Sequence, residues 1–410
     1  MSLFRSQSTT IRYGVVIEIG SGSVLVAIVK SNQASAHPEI IWSKREHAPR
    51  RNESNLATSA KGVMTALMNA MLLIEGEGKK TLAVLSPLAT LNHIQVSISA
   101  PWSYTITKVI NYNEEKAFII TATLLQSLMD AAQKKITEEL KENELASDLG
   151  LTIMTRATTD IQANEYKIFD PVGQTAESLT LTQVSAVAQA YLTDAISDLH
   201  TKTLPKAAME RFSFMLMFHC IIRDIHHQMT EYCLIDITDE ATEIGIVRGG
   251  ILRYCTHTAK GINTIARDVA GALDIPTDEA YAFLTEPYHT HAISTLSATK
   301  LEKTNIILAD YQADITALFH ETGDTLSIPK TLFLHAGAQT EAFFSNQIES
   351  AAKAATNGTH TVHLVTAELL TDSYPREQKQ QIQNPRTDTA ILVAAQFFHK
   401  QHHCNDFIQV

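Results

Sequence analysis

Two stretches far apart in the chain share one design, and together they restrict what it can fold into. Tyr13–Ser31, YGVVIEIGSGSVLVAIVKS, reads as a strand over Val15 to Ile19, a turn of Gly20-Ser21-Gly22-Ser23, and a return strand over Val24 to Val29. Glycine at two of the four turn positions permits a close backbone approach to whatever lies beyond the tip. Tyr232–Val247, YCLIDITDEATEIGIV, repeats the pattern about 220 residues later, but its turn, Thr238-Asp239-Glu240-Ala241-Thr242-Glu243, is polar and acidic. No repeat of 20–50 residues accompanies this echo. At 410 residues the chain is too long for one core, so two or more lobes are expected.

Composition narrows the class. With 45% hydrophobic and 19% charged residues the chain reads as an ordinary soluble globular protein. A net charge of −11 gives no general attraction to nucleic acid or anionic lipid. Cys220, Cys233, Cys255 and Cys404 form no CxxC pair, which suits a reducing compartment and gives no zinc or disulfide framework. The opening MSLFRSQSTTIRYG lacks the apolar run of a signal peptide, and the densest apolar run, Phe212–Ile222, is about half of what a bilayer span needs. A cytoplasmic location is expected.

Between and after the hairpins the pattern alternates. Glu39–His47 reads as a third strand, and apolar residues at Val63, Leu67, Met71 and Leu72 mark a helix packed by one face. His93–Tyr112 reads as a strand pair, 119–140 as a helix, and the following stretch as strands around a Pro171-Val172-Gly173 turn. Tyr191–Leu199, Phe212–His227 and Gly261–Ile275 read as helices; Lys330–Ile348 reads as strand, small-residue turn and helix, and NPRTDTAILVAAQFFHK as a last apolar helix. His399 and His403 share a helix face at ligand spacing, but no acid or cysteine cluster completes a set, so exposed terminal histidines are expected there. No Ser-His-Asp set, P-loop or Rossmann fingerprint is present.

Two hairpins in separate lobes plus a later strand, glycine turn and helix resemble the actin/Hsp70-like ATPase superfamily, and within it FtsA, the bacterial cell-division actin homologue, with the pilus protein PilM a near relative. EIGSGSV stands where such proteins have Asp-x-Gly-Thr/Ser-x-x-Val. Asp236, Gly250, Gly261, Asn263, Asp268 and the Glu279-Ala280 pair run in step with the second phosphate hairpin and its helix. KIFDPVGQTAESL resembles part of the small subdomain inserted in the first lobe, and NPRTDTAILVAAQFF the closing helix of that lobe. The resemblance implies an α/β, actin-like (ribonuclease H-like) two-lobed fold with an inserted α+β subdomain. Its parts would be residues 1–91, 189–231 and 386–410 for the first lobe, 92–188 for the insert and 232–385 for the second lobe. It also implies ATP with Mg2+ as cofactor. Nucleotide contacts would fall at Gly20, Ser21, Gly22, Ser23, Asp236, Thr238, Thr242, Gly261 and Gly337, and metal contacts at Glu18 and Asp236.

The second tip departs from that pattern. The family places Asp-x-Gly-Gly-Gly-Thr-Thr-Asp where this chain has Asp236-Ile237-Thr238-Asp239-Glu240-Ala241-Thr242-Glu243, so three glycines are replaced, two of them by carboxylates. Side chains there block the backbone approach that a phosphate nest needs. One like-charge contact at about 4 Å costs on the order of 4 kcal/mol at an effective dielectric of about 20. About 3 kcal/mol already weakens binding roughly a hundredfold. Glu18 replaces the usual Asp, Ser23 or Leu25 the lysine of the first hairpin, and Leu284 a base-contacting lysine; Ala336-Gly337-Ala338 is a reduced adenosine turn. Weak or absent ATP binding is therefore expected; the acidic tip reads as a solvated or partner-facing turn, with a divalent cation among Asp236, Asp239 and Glu240 as the alternative. The functional expectation is an FtsA-like adaptor that binds an FtsZ-like filament protein or divisome partners, with self-association possible by resemblance. No membrane-targeting helix follows HKQHHCNDFIQV, so a membrane link would run through a partner. The alternatives are a PilM-like pilus-assembly protein, whose groove near the insert holds the tail of an inner-membrane protein, and an active ATPase with an altered loop.

Overall fold

The computed structural model describes residues 10–49, 56–142, 150–286, 293–321, 328–337, 339–375, 379 and 388–403. Arg50, Arg51, Ala338 and Cys404 lie outside the described residues. The first sheet contains β1 (Ile11–Ile19), β2 (Ser23–Asn32), β3 (Glu39–His47), β4 (Leu91–Ile98) and β9 (Ala208–Ser213), in the order β3-β2-β1-β4-β9. The second contains β10 (Tyr232–Ile237), β11 (Thr242–Arg248), β12 (Ile251–Thr258), β13 (Thr331–His335) and β14 (Thr361–Leu364), in the order β12-β11-β10-β13-β14. In each, three antiparallel strands continue into two parallel ones. The sequence echo is thus a repeat of topology. A third sheet, β5 (Ser103–Ile119), β8 (Thr175–Gln189), β6 (Leu151–Ala163) and β7 (Tyr166–Lys167), carries the helix Ala122–Glu142 on one face.

Period-2 strands explain how the lobes join. Val15, Ile17 and Ile19 face a core with the helices Leu56–Leu73 and Ala190–Thr203, whereas Val16 faces a different one. Likewise Cys233, Ile235 and Ile237 face the core of the second lobe, and Tyr232 and Leu234 face the core that Val16 enters. That shared core is built around the helices Phe214–Ile225 and Thr389–His403. Both central strands are covered on two faces, as parallel pairing requires.

Three local expectations change. The residues of His93–Tyr112 are not a pair: β4 lies between β1 and β9 in the first sheet, and β5 belongs to the third. Pairing therefore puts residues 92–98 with the first lobe rather than with the insert. The run Phe212–His227 begins as strand, and the helix starts only after Ser213, whose Oγ accepts a hydrogen bond from the Leu216 amide at 3.4 Å. The histidines near the chain end are not all exposed. His399 and His402 are buried, and each ring Nδ1 lies 2.8 Å from the Ser31 hydroxyl. His403, the other member of the i, i+4 pair with His399, is exposed, with its Nε2 3.2 Å from Asn32 O. Among the described residues no helix is long and apolar enough to cross a membrane.

Candidate functional site

The turns β1–β2 and β10–β11 meet tip to tip. Each closes on itself, the Gly20 amide donating to Ser23 O at 3.0 Å and the Thr238 amide to Ala241 O at 2.9 Å. The first is tethered by the Trp102 indole, which donates to Gly20 O at 3.0 Å. Between the tips, the Ser21 hydroxyl donates to Thr238 Oγ1 at 2.8 Å and accepts from the Glu240 amide at 2.8 Å. Gly22 lies against Asp239 so closely that a Cβ on it would fall 2.3 Å from Asp239 Cγ. The second tip rests in turn on Gly261, where a Cβ would fall 2.3 Å from Thr238 O, and the Asn263 amide donates to Asp239 O at 2.8 Å.

The acidic residues of this tip go to separate partners. Glu240 forms a two-pronged pair with Arg267, at 2.9 and 2.6 Å, and accepts from Thr264 at 3.3 Å. Asp236 Oδ1 is 2.8 Å from His335 Nδ1; Asp236 is buried, the His335 side chain is 11% exposed, and His335 packs against Phe214. Burial opposes the His335 charge, but the bond and charge of Asp236 outweigh it and raise its pKa above the usual value. Arg45 joins Glu18 at 3.7 Å with Asp388, bonded through Nε at 2.7 Å, and also donates to Ser23 Oγ. Asp236, Asp239 and Glu240 therefore do not converge as cation ligands, and no cluster of three or more potential ligands exists among the described residues.

Of the residues expected at a nucleotide, Gly20, Ser21, Gly22, Ser23, Thr238 and Gly261 come together at the tips. Asp236 and Glu18 sit just behind, engaged by His335 and Arg45. Thr242 points elsewhere, its hydroxyl 2.8 Å from Lys260 O and 3.0 Å from the Tyr311 hydroxyl in the second lobe. Gly337 is exposed after β13, its carbonyl accepting from the Thr340 amide at 2.7 Å. Arg45, Arg267, His335 and Asp388 were not expected.

The two tips fill the space between them with each other's atoms. The approach that a glycine tip would offer to phosphate oxygens is taken by Asp239, and the Glu240 amide is spent on Ser21.

Two buried acids behind the seam titrate high. Burial, opposed by Arg45, raises the Glu18 carboxyl to about 7. Burial and the Asp236 charge raise Glu243 to about 8, although its Oε1 accepts from the Thr105 amide at 3.2 Å. The folded state thus holds protons that the unfolded chain, titrating near 4.5, releases. Stability must fall as pH rises from about 4.5 towards about 8 through these two groups. Glu243→Gln keeps an oxygen for Thr105 and removes the charge. Melting temperature measured against pH should fall less steeply in this variant, the two proteins agreeing near pH 5 and the variant melting higher near pH 8. Parallel curves would contradict the burial of a charge at Glu243.

Paired sheets of this topology around a shared core, an inserted subdomain and two facing hairpin tips define the actin-like ATPase fold, and this chain has it. The PilM-PilN type IV pilus biogenesis complex aligns over 94% of this chain and 98% of that chain, with a TM-score of 0.55 and 13% identity. A protein from Bacteroides thetaiotaomicron with actin-like ATPase fold aligns over 96% and 99% (TM-score 0.42, 8% identity). The ethanolamine utilization protein EutJ from Carboxydothermus hydrogenoformans aligns over 93% and 89% (TM-score 0.41, 9% identity). Neither protein-family models nor curated proteins give a match to the sequence.

Proposed function

We propose that this protein works by holding other proteins, in the manner of a PilM-like assembly scaffold, rather than by phosphoryl chemistry. The observation that carries the reading is a groove of about 420 Å³ between the first lobe and the insert, walled by Thr152–Thr155 of β6 and Met209–Phe212 of β9, with Thr193 at its side. β9 is the last strand of its sheet, and β7 pairs with β6 only at Gln162 and Ala163. Two strand edges therefore border one groove, bridged at one point where the Thr155 hydroxyl donates to Arg211 O; beside that bridge the groove suits an extended segment of a partner, main-chain bonds giving affinity and flanking side chains selecting the sequence. Met209 supplies apolar surface, and Glu210 and Arg211 supply charges of both signs. The PilM structure that aligns over nearly the whole chain is itself a complex with a protein partner, PilN. An FtsA-like division role would use the same adaptor chemistry with a different partner, and the DPVGQTAESL stretch is what favours it.

The test is affinity capture from the native cells with wild type, Met209→Glu and Arg211→Glu. Both variants should lose the captured partner by roughly tenfold or more, because they place charge or reverse it in the groove. Retention at wild-type levels by both would end the groove reading. Identification of the captured partner as a division or a pilus protein separates the two roles. Submicromolar ATP binding in the presence of Mg2+, measured by calorimetry, would argue for the ATPase alternative.

A further inference from the structure

The contact between the hairpin tips joins the lobes at a point distinct from their shared core. Ser21 is buried, with 2% of its surface exposed, although it occupies a turn that should end in solvent or against a ligand. Its hydroxyl uses both hydrogen-bonding roles on the opposite lobe: it donates to Thr238 Oγ1 and accepts from the Glu240 amide. Thr238 Oγ1 passes the chain on, donating to Ala100 O in the first lobe at 3.0 Å. Three bonds between the two sides thus run through two hydroxyls and one amide, with Ser21 buried and Thr238 and Glu240 partly buried. Beside it, Asp239 fills the space left by the absent side chain of Gly22. Glu240, the residue with most reason to pull the tip towards water, is held by Arg267 and Thr264 of its own lobe.

We infer that Ser21, Thr238 and the Glu240 amide form a built-in latch that keeps the two lobes closed without any bound nucleotide. The acidic loop is then an internal ligand. Its carboxylates are turned aside or neutralised, and the amide that would face an anion meets a neutral hydroxyl instead. Loss of the tip glycines from the second loop and retention of the glycines in the first have one joint explanation, because Gly22 must remain small for Asp239 to seat. The latch rests on the tip contacts alone and does not depend on what the groove between β6 and β9 holds.

Spin labels on Lys80→Cys in the first lobe and Glu349→Cys in the second, in a background of Cys255→Ser and Cys404→Ser, report the separation of the lobes by pulsed electron resonance. The wild-type sequence should give one narrow distance distribution, unchanged by millimolar ATP and Mg2+. Ser21→Ala combined with Thr238→Val removes both hydroxyls at little change in volume and should broaden the distribution to longer distances. Exchange of the Glu240 amide hydrogen should also quicken by roughly tenfold or more, the effect of losing about one good buried hydrogen bond. A broad wild-type distribution, a shift on adding nucleotide, or a double variant identical to wild type in both readouts would each overturn the latch. If the double variant fails to fold, Ser21→Ala alone, which removes the hydroxyl common to both bonds, takes its place in both readouts.

Discussion

Arg45→Ala should lower the free energy of unfolding by about 2–3 kcal/mol near pH 8, below the about 3–5 kcal/mol of a fully buried pair because the Arg45 and Asp388 side chains stay 25% and 29% exposed. Arg45 stands on β3 and reaches Ser23 Oγ at the foot of the first tip, Glu18 on β1 and Asp388 ahead of the closing helix. Its removal leaves two carboxylates facing each other with no cation between them, and Glu18 is 4% exposed. Their attraction to Arg45 is what opposes the burial that already raises Glu18 to about 7. Without it the proton is held more tightly still. The deficit of the variant should therefore shrink as pH falls from alkaline values towards about 7 and change little below it, because by then Glu18 carries its proton in both proteins. Arg45→Lys should fall between, since a lysine retains the charge but cannot bridge two carboxylates and a hydroxyl with one planar fork. Guanidinium denaturation at several pH values measures all three. A pH-independent deficit, or none, would show that Glu18 and Asp388 do not depend on Arg45.

What the sequence reveals and what it hides divides along chain distance. The hairpins were legible because alternation with period two and turn chemistry are local, and the two central strands lie where the alternation ran. The missing glycines of the second tip were legible for the same reason. The strands β4 and β5 were misjoined because both alternate, and alternation does not say which sheet a strand enters. The switch from β9 to helix at Ser213 was hidden inside a continuous apolar run, where periods of two and 3.6 look alike. Arg267 answers Glu240 from 27 residues away, and Arg45 answers Asp388 from 343. No spacing rule links such positions, so the reading could find the carboxylates but not the cations that neutralise them.

Gly261 supplies the sharpest test of the seam, because its need for glycine is one of space and not of torsion. Its backbone is extended, at φ −139 and ψ −165, a conformation any residue adopts. A methyl group at this point, however, would lie 2.3 Å from Thr238 O and 2.7 Å from both the carbonyl carbon and the oxygen of Asp239. Those are main-chain atoms with no rotamer to change. Either the second tip lifts, or the helix Ile262–Leu273 backs away; each breaks the 2.8 Å bond from the Asn263 amide to Asp239 O. Gly261→Ala should therefore cost about 3 kcal/mol or more, at the upper end for a methyl forced into filled space. Because the tip that must lift carries Glu240, the same variant should loosen the contact with Ser21 and speed exchange of the Glu240 amide. Gly271 lies in the same helix with nothing within 4 Å of an added Cβ, so Gly271→Ala should instead stabilise by about 0.5–1 kcal/mol. Gly261 caps the helix and Gly271 lies inside it, so a gain at Gly271 shows that the helix accepts a methyl where space is open, and a loss at Gly261 well beyond the roughly 1 kcal/mol of a poorer cap marks crowding at the seam. A Gly261→Ala protein as stable as wild type would mean that the acidic tip stands clear of the helix, and then neither Arg267 nor Ser21 could hold it where the lobes meet.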